Sequence, residues 1–311
     1  MSILSSRLNF NRLIISFSAE EVTELPSFTG STLRGVFGKA LKKSYCVVHH
    51  GNCDECMLKD SCGYFEIFES TNSTEELKSR GMEKRPHPFL LIPPVKTLYN
   101  KNEVLHFQIS LLGNQIRHLP YILYSFQKMG EFGFGVERKK FTFLEVKDYF
   151  SGKLIWKEGK IDLKGISNIE LGKDRISDSD SDLYLSFRSP VKLIRSGRVI
   201  QKPNSLDFQN AIYRRYSHLF TLFGTFDPRD LEELRKIEFN EIYSEHKKWK
   251  RYSNRQKRSI EMQGVEGSYK VRTSGLKNYN VLQIMKYLNL GKATTFGLGR
   301  FRLKDIIVSN Q

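Results

Sequence analysis

No apolar run in this 311-residue sequence approaches the roughly 20 residues that a membrane-spanning helix needs. The opening segment, MSILSSRLNFNRLIISF, alternates polar and apolar residues like a strand and lacks the small-residue cleavage motif of an export signal. The chain is therefore expected to be soluble and cytoplasmic, with no membrane among its partners. Cysteine is scarce and confined: Cys46, Cys53, Cys56 and Cys62 are the only four, and they fall within seventeen residues. A cytosolic chain keeps such thiols reduced, which argues against two disulfides. Acidic residues are in deficit, 34 Asp+Glu against 50 Lys+Arg, leaving a net charge of +16. With 39% hydrophobic and 12% aromatic residues the sequence has enough apolar material for real cores, and general disorder is excluded.

A surplus of cations can be no more than a well-solvated surface, so its distribution decides what it means. KKWKRYSNRQKR (247–258) holds seven cations, two aromatics and no acid, whereas SDSDSDLY (177–184) is acidic. Segregated charge of this kind favours a polyanion partner, because clustered cations release counterions from a nucleic-acid backbone.

The order of elements repeats. A strand-like RLNFNRLIISFS is followed by STLRGVFGKALKKSY, with Ser31 as the predicted N-cap. Leu33, Val36, Phe37, Ala40 and Leu41 lie on one face of that helix, and Arg34, Lys39, Lys42 and Lys43 off it. PFLLIPP and EVLHFQISLLG read as strands, HLPYILYSFQKMG as a helix ending at Gly130, and KKFTFLEVKDYF as a strand. This is βαββαβ, two helices on one face of a four-stranded antiparallel sheet. After a polar stretch at 163–182, taken as a linker, the pattern resumes with the helix LDFQNAIYRRYSHLFTLFG, the basic segment, the helix YNVLQIMKYLNLG and the strand RFRLKDIIV. The fold class is α+β, with tandem ferredoxin-like (RRM-like) domains at 1–165 and 166–311, a cysteine-bearing insertion (46–62) in the first and a glycine-rich loop near the end of the second.

The two halves can be compared internally. MGEFGFGVERKKF in the first and LGKATTFGLGRFRL in the second both run glycine, short link, Phe-Gly-x-Gly, basic strand. The glycines serve a tight turn in both copies. Lys292, Thr294 and Thr295 are added only in the second, and these three, with Arg300, are the expected phosphate contacts.

FTGSTLRGVFGKAL, CDECMLKDSCGYFEIFE, PHPFLLIPP, RYSNRQKRSIEMQGVEGSYKV and LNLGKATTFGLGRFRL, in that order, resemble the CRISPR precursor-RNA processing endoribonucleases of the RAMP superfamily. The resemblance spans about residues 25–305. It implies binding of CRISPR repeat RNA (pre-crRNA) and metal-independent cleavage with no catalytic cofactor, and it makes effector-complex subunits further candidate partners. Relatives often carry histidine just before the Leu-Gly-Lys motif, where this chain has Asn289.

Metal-independent scission needs the 2′-hydroxyl to attack phosphorus in line with the leaving 5′-oxygen, giving a 2′,3′-cyclic phosphate and a 5′-hydroxyl. Histidine suits both proton transfers, and Tyr or Lys can substitute when their pKa values are lowered. The resemblance implies a catalytic histidine in or just after the first helix. His49 and His50 occupy that place, with Tyr45 and Lys43 nearby; loop residues or metal ligands are the alternative for the pair. The other histidines read as structural, His118 among them, except that His246 could contact RNA. The RNA-binding candidates are Lys248, Lys250, Arg251, Arg255, Lys257 and Arg258, with Trp249 and Tyr252 for stacking, and more weakly Arg34 and Lys39. The C-x6-C-x2-C-x5-C spacing of Cys46, Cys53, Cys56 and Cys62 points to a structural zinc, with unliganded thiols the main alternative. A non-catalytic RNA-binding subunit on the same fold and a basic scaffold without RNA specificity are the rival functions.

Overall fold

The computed structural model describes residues 4–48, 51–69, 74–79, 81–173, 182–253, 258–273 and 275–305. Two compact units divide the chain, Phe10–Ile169 and, together, Met1–Asn9 with Glu170–Gln311. The division falls four residues beyond the predicted 165/166 boundary, and the first nine residues cluster with the second unit.

The first unit contains β1 (Leu8–Ala19), α1 (Thr29–Tyr45), β2 (Phe89–Ile92), β3 (Val104–Leu112), α2 (Leu119–Phe132), β4 (Phe141–Asp148) and β5 (Leu154–Lys157). Its antiparallel sheet runs β2-β3-β1-β4-β5, with β1 against β3 from Phe10↔Leu112 to Ser18↔Val104. Leu33, Phe37, Ala40 and Leu41 of α1 are buried against this sheet, as are Leu119, Ile122, Leu123, Phe126 and Met129 of α2. The apolar stripes of the two helices thus fill one core, around a cluster of rings in which Phe17 meets Phe107, Phe134 and Phe143.

Two predicted helix ends are corrected. α1 starts at Thr29, not after Ser31, and Thr29 Oγ1 donates to the Pro26 carbonyl at 3.0 Å. α2 runs through Gly130 and stops at Gly133, whose φ is +73°. Gly130 has a different task, since a Cβ there would lie 2.2 Å from the Phe141 carbonyl oxygen; its hydrogen lets the helix approach β4 closely. The predicted linker is also partly ordered: Ile169–Leu171 is a short strand, and Ser167 is bonded into the first unit through Asn11 and Asp148.

The second unit contains β6 (Asp182–Phe187), α3 (Ser205–Phe223), β7 (Glu238–Ser253), β8 (Arg258–Arg272), α4 (Leu276–Leu288) and β9 (Phe301–Asp305). Their order, β7-β8-β6-β9, repeats the β2-β3-β1-β4 order of the first unit, so each is a ferredoxin-like βαββαβ. α3 opens with a capping box in which Asn204 and Asp207 satisfy each other's backbone N–H groups. Val281, Leu282, Met285 and Leu288 of α4 are buried, as their spacing predicts. The buried Asp230 carboxylate accepts from Ser5 N (2.9 Å), Ser6 N (2.8 Å) and Tyr216 Oη (3.3 Å), tying the start of the chain to this unit.

Candidate functional site

In the first unit the helix-spaced burial of α1 carries its last residue, Tyr45, to the point where α2 begins. There Tyr45 Oη lies 2.7 Å from Nδ1 of His118, and its ring stacks on Tyr121 at 4.2 Å between centroids. The approach depends on Gly63, because a Cβ at that position would lie 2.5 Å from Tyr45 Cζ. His118 is the last residue of a 3₁₀ turn (Gln115–His118) that leads into Leu119-Pro120, the proline occupying the first turn of α2 where no N–H is needed. A π-helical turn, Phe65–Glu69, places Glu66 on the other side of the imidazole.

Glu66 gathers three partners. Its Oε2 is 3.2 Å from His118 Nε2, Gln115 Nε2 donates to Oε1 at 2.9 Å, and one Arg117 Nη donates to both oxygens at 2.6 Å. These bonds, His118 foremost, hold the Glu66 carboxyl down at about 2 against the opposing effect of burial. Arg117 Nε also reaches His118 Nε2 at 3.1 Å. Burial pushes the Tyr45 phenol well above its ordinary range, with smaller contributions from Tyr121, Glu66 and Cys62.

Of the predicted catalytic residues, Tyr45 thus sits in a network of titratable groups and Lys43 is exposed beside it on α1. His49 and His50 lie outside the described residues. His118, read from the sequence as structural, is the histidine that contacts Tyr45. Their separation of 73 positions leaves no local spacing to reveal the pair. Cys46, Cys53, Cys56 and Cys62 are half-buried free thiols, and Cys53 and Cys62 pack against the core. Among the described residues no three His, Cys, Asp or Glu side chains converge as a metal cage, so the spacing alone speaks for zinc. Arg34 is held over Phe68 (4.3 Å to the ring centroid) and bonded to His87, and Lys39 lies over Phe132 at 4.2 Å.

In the second unit the basic segment forms the distal part of a long hairpin, with Trp249 opposite Met262 and Ser253 opposite Arg258. Alternation along β7 exposes Lys248 and Lys250, while Trp249 and Arg251 are half-buried on the opposite face. Lys247 is paired with Glu245 at 2.6 Å. Arg251 lies 4.8 Å from the Phe296 ring centroid, which joins the hairpin to the glycine-rich loop. Arg255 and Lys257 lie outside the described residues, and Arg258 is exposed.

In the loop, Lys292 is exposed and its N–H bonds the Lys192 carbonyl at 2.9 Å, but Thr294 and Thr295 are only 5% and 7% exposed. Both threonines are therefore packed inward on the short 3₁₀ turn Thr294–Phe296. Arg300 is half-buried, and burial, then Arg302 and Arg188, push its guanidinium pKa down. His218 on α3 is pushed down to about 4 by burial and then by Lys292, Arg214 and Arg215. The charged neighbours that push His218 and Arg300 down, Lys292, Arg214, Arg215, Arg302 and Arg188, are all cations. Asn289 is fully buried with φ +57°, and its Nδ2 donates to the Leu298 carbonyl at 3.3 Å, so its side chain braces the loop from inside.

Among the described residues no helix is long and apolar enough to cross a membrane. A family model described as an N-terminal domain matches residues 8–168, just over half of the chain, and the model for the CRISPR-associated endoribonuclease Cas6 matches residues 185–301. An uncharacterized protein of Archaeoglobus fulgidus is 25% identical over 293 residues, covering 90% of this chain and 93% of that one. A Thermus thermophilus Cas6 superposes with a TM-score of 0.53 at 13% identity, over 96% of this chain and 99% of that chain. A Cas6 product complex gives a TM-score of 0.56 at 13% identity, over 95% and 99%. A partial Cas6-RT-Cas1–Cas2 complex gives 0.57 at 13% identity, where this chain covers 48% of the longer chain and 98% of itself is matched.

The two ferredoxin-like units and these matches define the fold, which the chain shares with the solved Cas6 structures. The chain belongs to the family of that N-terminal domain through residues 8–168, and its residues 185–301 match the Cas6 endoribonuclease model.

Proposed function

We propose that the chain is a sequence-specific endoribonuclease that binds CRISPR repeat RNA and cuts precursor crRNA without metal, by 2′-hydroxyl attack. The observation that carries this reading is a Cas6-family domain whose long hairpin exposes Lys248 and Lys250 in a segment free of acids. Lys43 and Tyr45 at the end of α1, and the His49–His50 pair four and five residues further on in the sequence, are assigned to the chemistry. Effector-complex subunits are the further partners, and a structural zinc on Cys46, Cys53, Cys56 and Cys62 belongs to the proposal on their spacing, to be decided by metal analysis of the purified chain.

Repeat RNA incubated with the chain in EDTA should give a 2′,3′-cyclic phosphate and a 5′-hydroxyl, read by end-group analysis. His49→Ala or His50→Ala should abolish scission with binding retained within a few-fold; normal cutting by both single variants and the double variant would remove the pair from the mechanism. Lys248→Glu with Lys250→Glu should weaken binding and lower the slope of log Kd against log salt by about 2, roughly one unit for each phosphate no longer neutralised. A second reading is favoured by one observation, the buried Asn289 at the position where relatives often carry histidine: a non-catalytic RNA-binding subunit. Tight, specific binding with no cleavage in the same assay would establish it, and salt-sensitive binding to any polyanion would point to a scaffold.

A further inference from the structure

We propose that the chain associates with a second copy of itself, the outer edges of their β7 strands pairing antiparallel about His246. This goes beyond the RNA reading and does not depend on it.

β7 is the outermost strand of its sheet and, at 16 residues, about three times the usual strand length. An edge of that length presents a row of backbone N–H and C=O groups ready to take another strand. Among the described residues β8 is the only strand bonded to it. Ser205 closes the edge at its start, where its Oγ accepts from Phe239 N–H (2.9 Å) and donates to the Phe239 carbonyl (3.2 Å). Further along, Ile242 and Tyr243 sit at a β-bulge and are 57% and 56% exposed. The far edge of the same hairpin is already engaged at Val265 of β8, which exchanges both backbone hydrogen bonds with Val191, at 2.8 and 2.9 Å. The second copy is therefore assigned to β7.

The side chains say how the two edges match. From Tyr243 onward the pairing of β7 with β8 is regular, so Tyr243, Glu245, Lys247 and Trp249 lie on one face. Contacts along that face agree: Tyr243 Oη donates to Glu245 Oε2 at 2.8 Å, and Lys247 Nζ lies 2.6 Å from Glu245 Oε1. The order aromatic, acid, base, aromatic is complementary to itself when reversed. About a two-fold at His246, Tyr243 stands opposite Trp249 of the second copy and Glu245 opposite its Lys247. The same two pairs recur on the other side of the axis.

Charge selects this register, because like charges directly opposite are destabilising. An axis at Glu245 would set two glutamates together, and an axis at Lys247 two lysines. An axis between residues would set opposite faces of the strands against each other. On the other face the exposed Lys248 stands opposite Ser244 of the second copy, so no lysine there directly opposes a lysine. The contact uses the same patch on both copies, and it therefore closes at two.

The test is sedimentation equilibrium of the full chain, freed of nucleic acid, over a concentration series at low ionic strength. The wild-type chain should dimerise. Glu245→Lys and Lys247→Glu should each raise the dimer Kd by about 10-fold or more, since two opposite-charge pairs become two like-charge pairs. An equimolar mixture of the two variants should associate like the wild type, because the new lysine of one chain faces the new glutamate of the other. Loss of the Glu245–Lys247 pair within each chain cannot produce that rescue. A wild-type chain that stays monomeric, single variants that dimerise normally, or a mixture that does not associate overturns the proposal. If either variant fails to fold, judged by its melting curve, hydrogen exchange of the wild type decides. Amides over 244–248 should gain protection as the concentration rises, and protection that does not change with concentration overturns the pairing.

Discussion

Gly299→Ala is expected to unravel the glycine-rich loop and the end of the second unit, at a cost above about 4 kcal/mol, beyond what ordinary single substitutions do. Its φ is +72°, which an L side chain rarely adopts, and a Cβ would lie 1.7 Å from the Leu290 carbonyl oxygen, 2.8 Å from its carbon and 2.9 Å from its nitrogen. No side chain can rotate away to relieve that overlap, because all three atoms are backbone. The same strand of chain is tied by Leu290 N to the Gly299 carbonyl at 2.8 Å and by Gly299 N to the Pro190 carbonyl at 2.9 Å, so separating the segments breaks both bonds. Gly197→Ala is the control: its φ is +77°, yet nothing lies within 4 Å of its Cβ. It should cost only the left-handed strain, roughly 1–2 kcal/mol. Hydrogen exchange over 288–303 reads the difference, with fast exchange in Gly299→Ala and near-native protection in Gly197→Ala. Equal protection in the two variants would mean that the loop yields where its backbone packing says it should not.

The comparison bears on what the second glycine loop is for. Gly133 meets the Arg138 carbonyl oxygen at 2.1 Å, whereas Gly135 has nothing nearer than 3.5 Å, so in the first unit the crowded glycine is the earlier of the pair. In the second unit Gly299, the later of the pair, bears the close approach. The motif is therefore shared as a string but used at different positions. Thr294 and Thr295 follow the same logic, turning inward to fill the loop that Gly299 closes, and the exposed cation of the loop is Lys292.

Much of the fold was legible because it rests on local periodicity. The stripes of α1, α2 and α4 place their apolar residues in the cores, and the two βαββαβ orders follow from the sequence of strands and helices. What the sequence left hidden was long-range. Gly130 looked like a helix stop because glycine usually is one, but its constraint comes from a carbonyl on β4 eleven positions on. His118 reads as structural from the sequence, and its partners Tyr45 and Glu66, 73 and 52 residues away, are beyond the reach of local spacing. Arg34 reads as a weaker RNA candidate from its place off the apolar stripe, and the contacts it makes with Phe68 and His87 are not visible in that spacing. Spacing reports which face a residue occupies, and it carries no information about what the rest of the chain brings to that face.

Asp148 illustrates how much one such convergence can hold. It is fully buried at the end of β4, and a single carboxylate accepts from Phe150 N (3.0 Å), Ser151 N (2.7 Å), Ser151 Oγ (3.0 Å), Ser167 N (3.1 Å) and Ser167 Oγ (2.7 Å). The turn after β4 and the segment leaving the unit are thereby fastened to one point. Asp148→Ala leaves three backbone donors without their acceptor, at about 1–3 kcal/mol each where water cannot reach them; with some rehydration the expected loss is about 3–5 kcal/mol. Burial alone would raise the Asp148 carboxyl, but the bonds from Ser151 and Ser167 outweigh it and hold the group below its ordinary value. A depressed carboxylate binds fewer protons folded than unfolded, so its contribution is complete above the unfolded pKa of about 3.9 and is lost as pH falls below it. Urea unfolding followed at Trp156, across pH 3 to 7, should show the wild-type first unit weakening on the acid side. Asp148→Asn should be weaker at pH 7 and less sensitive to acid, since it has no proton to take up there. A variant with wild-type stability at neutral pH would show that the five bonds together contribute little beyond what water supplies to the same groups.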